Sequence, residues 1–184
     1  MRFAITLLTV IFSVSFETLS QQIFMTRNGV VKFTSDAPLE IIKAQSGSLN
    51  AVINFSARTF AFSIPITSFR GFNSPLQREH FNENYLESSK YPVGMFKGKI
   101  IEEVDFKQNG TYTVRTKGTL IIHGVEQERI IKSSITINGS QIMLNSSFEV
   151  PLSDHKISIP KIVNQKIAEA IQIKVNAVLS PRTS

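Results

Sequence analysis

The stretch Thr113-Val114-Arg115-Thr116-Lys117-Gly118-Thr119-Leu120-Ile121-Ile122 decides the fold. Val114, Thr116, Gly118, Leu120 and Ile122 fall on one face, and Thr113, Arg115, Lys117 and Thr119 on the other. Successive side chains of an extended chain point to opposite sides, so this period reads as a strand with one buried and one wet face. The same rhythm continues in both directions. Before it, Phe96, Gly98 and Ile100 alternate with Lys97, Lys99 and Ile101, and Phe60, Phe62, Ile64 and Ile66 oppose Ala61, Ser63 and Thr67. A run from Ser48 to Phe55 and the set Val31, Phe33, Ser35 lie further upstream. After it come Ile131 to Ile137, then Ile142, Leu144, Ser146, Phe148 and Val150, and last Ile171 to Leu179.

Punctuation between the runs is short. Asn138-Gly139 is a strong hairpin signal because both residues accept positive φ, and Gln108-Asn109-Gly110 predicts a second hairpin. Pro65 has no N–H for a ladder, so it marks an edge, a bulge or a bend. Short turns and one-sided polarity predict antiparallel hairpins rather than βαβ units. About eight such strands close a small barrel. A β-sandwich satisfies the same alternation. Two segments break the rhythm. Ser74-Pro75 resembles an N-cap with proline at the first helical position, predicting a helix from Leu76 to Glu87 with Phe81 and Tyr85 facing the sheet. Pro160 to Ile171 has helical spacing and predicts one or two turns before the last strand.

Composition narrows the class. The chain of 184 residues is 42% hydrophobic and 18% charged, as a globular protein is. It has Phe 14, Tyr 3 and Trp 0, so most of its aromatic area lacks a polar handle and belongs in an apolar space. Without cysteine it has no disulfide, no thiolate chemistry and no lipidated cysteine. Met1-Arg2, the apolar run Phe3–Phe16 and the small residues to Ser20 read as a signal peptide over 1–20, too short for a comfortable transmembrane span. One mature domain over 21–184 follows, periplasmic or secreted. Net charge is +6, and loss of residues 1–20 leaves it there because Arg2 and Glu17 cancel. Its Lys and Arg residues form no run or stripe, so the charge reads first as a dispersed solubilising surface, and nucleic acid is not expected. Transient contact with an anionic membrane surface or an anionic ligand is the alternative.

If Phe60, Phe62, Phe96, Ile100, Leu120, Ile122, Leu144, Phe148, Ile173 and Val175 share one interior, they make an apolar tube, with Gly98 and Gly118 leaving room. A solid core would use the same residues. Phe81 comes from the helical excursion, and Arg78 and His80 beside it are placed to orient a headgroup. His80, His123 and His155 lack i, i+3 or i, i+4 spacing, so no metal site is expected; His80 and His123 are expected to satisfy turns or one another. No G-x-S-x-G elbow accompanies the serines, and adjacent Asp154 and His155 diverge in an extended segment, so no catalytic residue is assigned.

Three segments carry a family resemblance. Gln77-Arg78-Glu79-His80-Phe81-Asn82-Glu83-Asn84-Tyr85-Leu86-Glu87-Ser88-Ser89-Lys90-Tyr91-Pro92, continuing to Phe96-Lys97-Gly98, resembles the YceI-like family. Lys117-Gly118-Thr119-Leu120-Ile121-Ile122-His123-Gly124-Val125 resembles its glycine-leucine-x-isoleucine-histidine-glycine-valine strand, and Asp154-His155-Lys156-Ile157 to Pro160-Lys161-Ile162 resembles its tail. The resemblance covers about residues 23–179. It implies an all-β, eight-stranded antiparallel, lipocalin-like barrel with a short helical excursion, exported, some of whose members enclose a polyisoprenoid or another long-chain amphiphile. Arg78-Glu79-His80-Phe81 departs from the family's usual helix entry, where leucine or methionine follows the histidine. The expected function is a non-enzymatic carrier, store or sequestering module for an isoprenoid, quinone or fatty-acid-like molecule, without a cofactor. A solid-core barrel acting in stress response or surface interaction is the alternative. A homodimer is compatible with either.

Overall fold

Eight strands form where the period-two runs lie, all but the third longer than the runs alone. They are β1 (Ile23–Ala37), β2 (Glu40–Asn54), β3 (Thr59–Pro65), β4 (Val93–Ile100), β5 (Gly110–Ile122), β6 (Val125–Asn138), β7 (Gln141–Pro151) and β8 (Ala170–Pro181). The structure, a computed structural model, describes residues 23–104 and 108–182; the predicted signal segment lies outside them. Each strand pairs antiparallel with the next, and β8 returns to β1, closing the barrel. Closure removes the free edges that a sandwich would leave. In β1 the register shifts around Gly29, a bulge that lets a long strand curve around the barrel.

Several turns differ in detail from the sequence reading. The β6–β7 turn is Gly139-Ser140, with Gly139 at φ +58 and Asn138 still paired to Gln141, one residue later than predicted. His123 and Gly124, both at positive φ (52 and 70), make the tight β5–β6 turn between paired Ile122 and Val125. Pro65 ends β3, where it pairs with Val93, and the chain turns at Ile66–Ser68, so Ile66 leaves the strand face. Gly98 and Gly118 do not hold lumen space open. They are paired, and a Cβ on Gly98 would lie 2.2 Å from the Lys117 carbonyl oxygen and 2.5 Å from the Gly118 Cα, so they let β4 and β5 approach closely.

The helical excursion begins as predicted. The Ser74 side chain accepts from the Gln77 N–H, Pro75 takes the first position, and α1 runs over Pro75–His80. It then widens into a π turn over Phe81–Tyr85, which the Leu86 N–H closes by donating to the Phe81 carbonyl. The Asn82 side-chain amide donates to the Arg78 carbonyl at 2.8 Å within this widened turn. Pro160–Ile171 keeps one of the one or two turns expected there. Only Lys161–Val163 makes a single 3-10 turn, and β8 already starts at Ala170. Its neighbours claim the backbone instead: Leu39 N–H donates to Gln165 O at 2.9 Å, and Ala168 N–H to Ser35 Oγ at 2.8 Å.

Connections define two ends. The β2–β3 and β6–β7 turns lie at one, here the closed end. The opposite, mouth end carries the β1–β2 turn, the helical excursion and the long β7–β8 connection. Core residues of the closed half, among them Ala51, Val114, Ile135, Ile142 and Leu179, are at most 1% exposed. Phe24 meets Phe55 edge-on there at 5.4 Å.

Candidate functional site: an apolar cavity at the mouth

Above the packed floor the barrel encloses a cavity of about 390 Å³. Inward positions of all eight strands face it, together with the excursion and the β7–β8 connection. The alternation brings nearly all the predicted residues together. Phe60 and Phe62 come from β3, Phe96 and Ile100 from β4, Leu120 and Ile122 from β5. Leu144 and Phe148 come from β7, Ile173 from β8, and Phe81 and His80 from the excursion. Phe60 packs against Phe62 at 5.3 Å and Phe96 at 4.8 Å, making an aromatic strip on one wall. Arg78 is the exception. It does not reach the lining, and its buried Nε has no hydrogen-bond partner.

The few polar atoms of the lining are mostly satisfied within the protein. Ser133 Oγ donates to Ser146 Oγ at 3.1 Å, and Thr116 Oγ1 donates to the Ile131 carbonyl at 3.1 Å. Spent hydroxyls leave the interior apolar to a guest. At the outer rim stand Glu40, Gln77, His80 and Lys166, where the Gln77 amide donates to Glu40 Oε1 at 2.6 Å. His80 and Lys166 are exposed, so the cavity opens beside them.

A ring cluster holds the excursion over the cavity. Phe81 stacks on Phe33 at 5.4 Å and meets Phe69 at 5.7 Å and Phe72 at 5.1 Å. The sequence reading omitted Phe33, Phe69 and Phe72, which also line the cavity. Their signal was the phenylalanine excess itself, but two of them lie in connections where period two says nothing. Aromatic contacts of this kind contribute about 0.5–1.5 kcal/mol each beyond burial.

Opposite the ring cluster, a polar latch ties three connections. His123 lies between Glu87 Oε2, 2.6 Å from its Nε2, and the His155 carbonyl, 3.1 Å from its Nδ1. Both partners are acceptors, so only the doubly protonated ring donates to both. His123 therefore serves its turn but does not partner His80. Tyr91 packs edge-on to the same ring at 4.9 Å. Asp154 and His155 diverge as expected, though from a 3-10 turn over Leu152–His155 rather than an extended segment. Asp154 pairs with Arg129, while His155 is fully buried with Nδ1 3.2 Å from the Val125 carbonyl and no partner for Nε2. Burial pushes the His155 pKa below the ordinary histidine value, outweighing the Val125 carbonyl. Among the described residues no group of three or more His, Asp or Glu side chains could hold a metal ion.

Comparison with known proteins agrees with this architecture. The chain is similar to a polyisoprenoid binding domain from Saccharophagus degradans implicated in plant cell wall breakdown: 13% identity, TM-score 0.74, over 89% of this chain and 100% of that one. It is similar to Burkholderia cenocepacia BcnA at 14% identity and TM-score 0.68, over 83% of this chain and 96% of that one. A Campylobacter jejuni YCEI protein shares 16% identity at TM-score 0.61, over 99% of this chain and 100% of that one. At such identities the likeness shows the fold alone. No curated protein matches the chain. The model of the YceI-like domain matches residues 14–179, most of the length, and with a closed eight-stranded antiparallel, lipocalin-like barrel in place the chain belongs to the YceI-like family.

Proposed function

We propose that this barrel holds one long-chain apolar molecule, an isoprenoid, quinone or fatty-acid-like amphiphile, in its lumen and carries, stores or sequesters it outside the cytoplasm. The supporting observation is the cavity of about 390 Å³, walled by apolar side chains and opening at a polar rim. Its size falls in the usual range for ligand sites, about 300–1,000 Å³. A long chain would gain about 0.8 kcal/mol for each methylene buried there, with few directional contacts. Its polar end would meet His80, Lys166 and Gln77 at the rim. A polyisoprenoid-binding neighbour with the same fold supports the ligand class. Residues 1–20 would direct export and be removed. Among the described residues no helix is long and apolar enough to cross a membrane.

Organic extraction of the purified protein followed by mass spectrometry tests the reading. A stoichiometric long-chain amphiphile, or saturable uptake of an added isoprenoid, is the expected result. Repeated extracts without such a molecule, together with no uptake, would leave the solid-core interaction protein as the better account.

A further inference from the structure

The rim carries an apolar surface that the cavity does not use. Among the described residues, five apolar side chains are exposed over at least half their surface: Leu39 65%, Ile41 50%, Leu76 56%, Ile130 61% and Ile162 91%. Ile130 is within β6, on the barrel wall. The other four belong to the mouth end, on the β1–β2 turn, the start of β2, α1 and the β7–β8 connection. These elements are neighbours. Leu39 N–H donates to Gln165 O at 2.9 Å, and Gln77, next to Leu76, donates to Glu40, next to Leu39 and Ile41. Ile162 adjoins Val163, which lines the cavity.

Along the chain Ile162 is flanked by lysines, with Asp154 and Glu169 the first carboxylates on either side and Glu40 across the rim. From His155 to Ala168 the chain holds Lys156, Lys161 and Lys166 and no Asp or Glu. Lys161 and Lys166 are exposed and make no ion pair among the described residues. An isoleucine this bare normally costs solubility, and flanking lysines suit a surface of lipid phosphates below which the isoleucine can be buried.

We infer that the mouth face docks on an anionic bilayer surface, with Ile162, Leu39 and Leu76 entering the headgroup boundary and Lys161 and Lys166 meeting lipid phosphates. A second copy fits this face less well. Two-fold pairing about Ile162 would bring the lysine-bearing segment against its own copy. Docked this way, the cavity opens toward the hydrocarbon, and an apolar cargo enters without crossing water. Docking goes beyond the proposed cargo and can fail or succeed independently of it, because vesicles read the first and extracts the second.

The experiment is flotation of the chain, as it accumulates in the expressing cell, with vesicles of phosphatidylglycerol and phosphatidylcholine in equal parts. Vesicles of phosphatidylcholine alone are the comparison. Wild-type protein floats with the anionic vesicles and is released by salt. Ile162→Asp weakens this about tenfold or more, the loss expected for one buried isoleucine. Lys161→Gln weakens it about fivefold, the contribution of one lysine near an anionic surface. Val178→Asp, at an exposed position toward the closed end, leaves it unchanged. Thermal melts and extracted cargo matching wild type show that Ile162→Asp is folded and loaded. Equal flotation of the Ile162→Asp and Lys161→Gln variants overturns the inference, as does equal loss in Val178→Asp or absence of wild-type flotation. A concentration-dependent dimer that Ile162→Asp dissolves, with no vesicle binding, reassigns the face to a second copy.

Discussion

One set of eight strands builds two unlike ends. Toward the closed end, side chains from opposite walls meet: Val114 and Leu179 are 0% exposed, Ile142 and Ile135 1%, and Phe55 is capped by Phe24. Toward the mouth, residues with the same inward orientation stay half-buried, among them Phe62, Phe96, Phe148 and Ile173, because the space opposite them is empty. Side chains from opposite walls fill the closed end, whereas the mouth is spanned by the excursion and the β7–β8 connection. Those are held by the Phe81 ring cluster, by the His123 latch and by a small buried apolar cluster of Ile66, Leu86 and Ile157. Packed core and open cavity thus occupy opposite ends of one barrel.

The sharpest way to break that division is a reciprocal pair of variants. Phe62→Arg places a guanidinium in the apolar lining and abolishes uptake of an added isoprenoid while the protein stays folded. Uptake unchanged in a folded variant would put the cargo elsewhere. Ile142→Ala does the opposite, lowering unfolding free energy by about 2–5 kcal/mol in urea while the protein that remains folded still binds. Ile173→Ala, facing the cavity, costs only about 1 kcal/mol, since much of its side chain is not packed against a partner. Equal losses at Ile142 and Ile173 would show that the mouth half is as solid as the floor.

Between the ends, the barrel's girth is set where β4 and β5 touch. Gly98→Ala forces a Cβ to within 2.2 Å of the Lys117 carbonyl oxygen, so the two strands must part, at about 1–3 kcal/mol by chemical denaturation. Gly47→Ala, with nothing within 4 Å of its Cβ, is the matched control and loses no stability. A neutral Gly98→Ala would mean that the strands have slack and that the cavity's width is not fixed by this contact.

Much of this plan is legible in the sequence. Period two identifies the inward residue of each pair, because an extended chain has only two sides, and it gave Phe60, Phe62, Leu120, Leu144 and Phe148 correctly. It cannot say whether the inward residue meets a partner or a void, since Ile142 and Ile173 look alike in sequence yet differ in what stands opposite. Connections were read less well. Phe33 is legible as a strand residue but not as a contact of the excursion, and Phe69 and Phe72 lie in the connection after β3. The helical spacing of Pro160–Ile171 is realised only as one 3-10 turn, because the rest of the backbone takes tertiary hydrogen bonds from Leu39 and onto Ser35, which local spacing does not contain. Gly98 and Gly118 carried a true signal with two physical readings, and only the 2.2 Å approach chooses between them.

The smallest expected effect concerns acid, and it distinguishes the ends by pH. His155 is buried in the mouth latch near Asp154, Arg129 and the His123–Glu87 pair, and burial holds its folded pKa below the ordinary 6.5. Below about pH 6.5 the unfolded chain therefore takes up a proton that the folded chain resists, so stability falls as pH falls. The slope contributed by one such group is at most about 1.4 kcal/mol per pH unit. Unfolding free energies measured between about pH 7 and 5 should decline in wild type, and His155→Gln should flatten part of that decline, since the amide can still donate to the Val125 carbonyl but takes up no proton. Hydrogen exchange should locate the loss in the β7–β8 connection and the His123 turn, while the amides paired between β7 and β8 near Ile142 and Leu179 keep their protection. Identical pH profiles for the two proteins would remove His155 from the latch's energetics and leave the His123–Glu87 contact, the ring cluster and the Leu86–Ile157 packing to restrain the mouth.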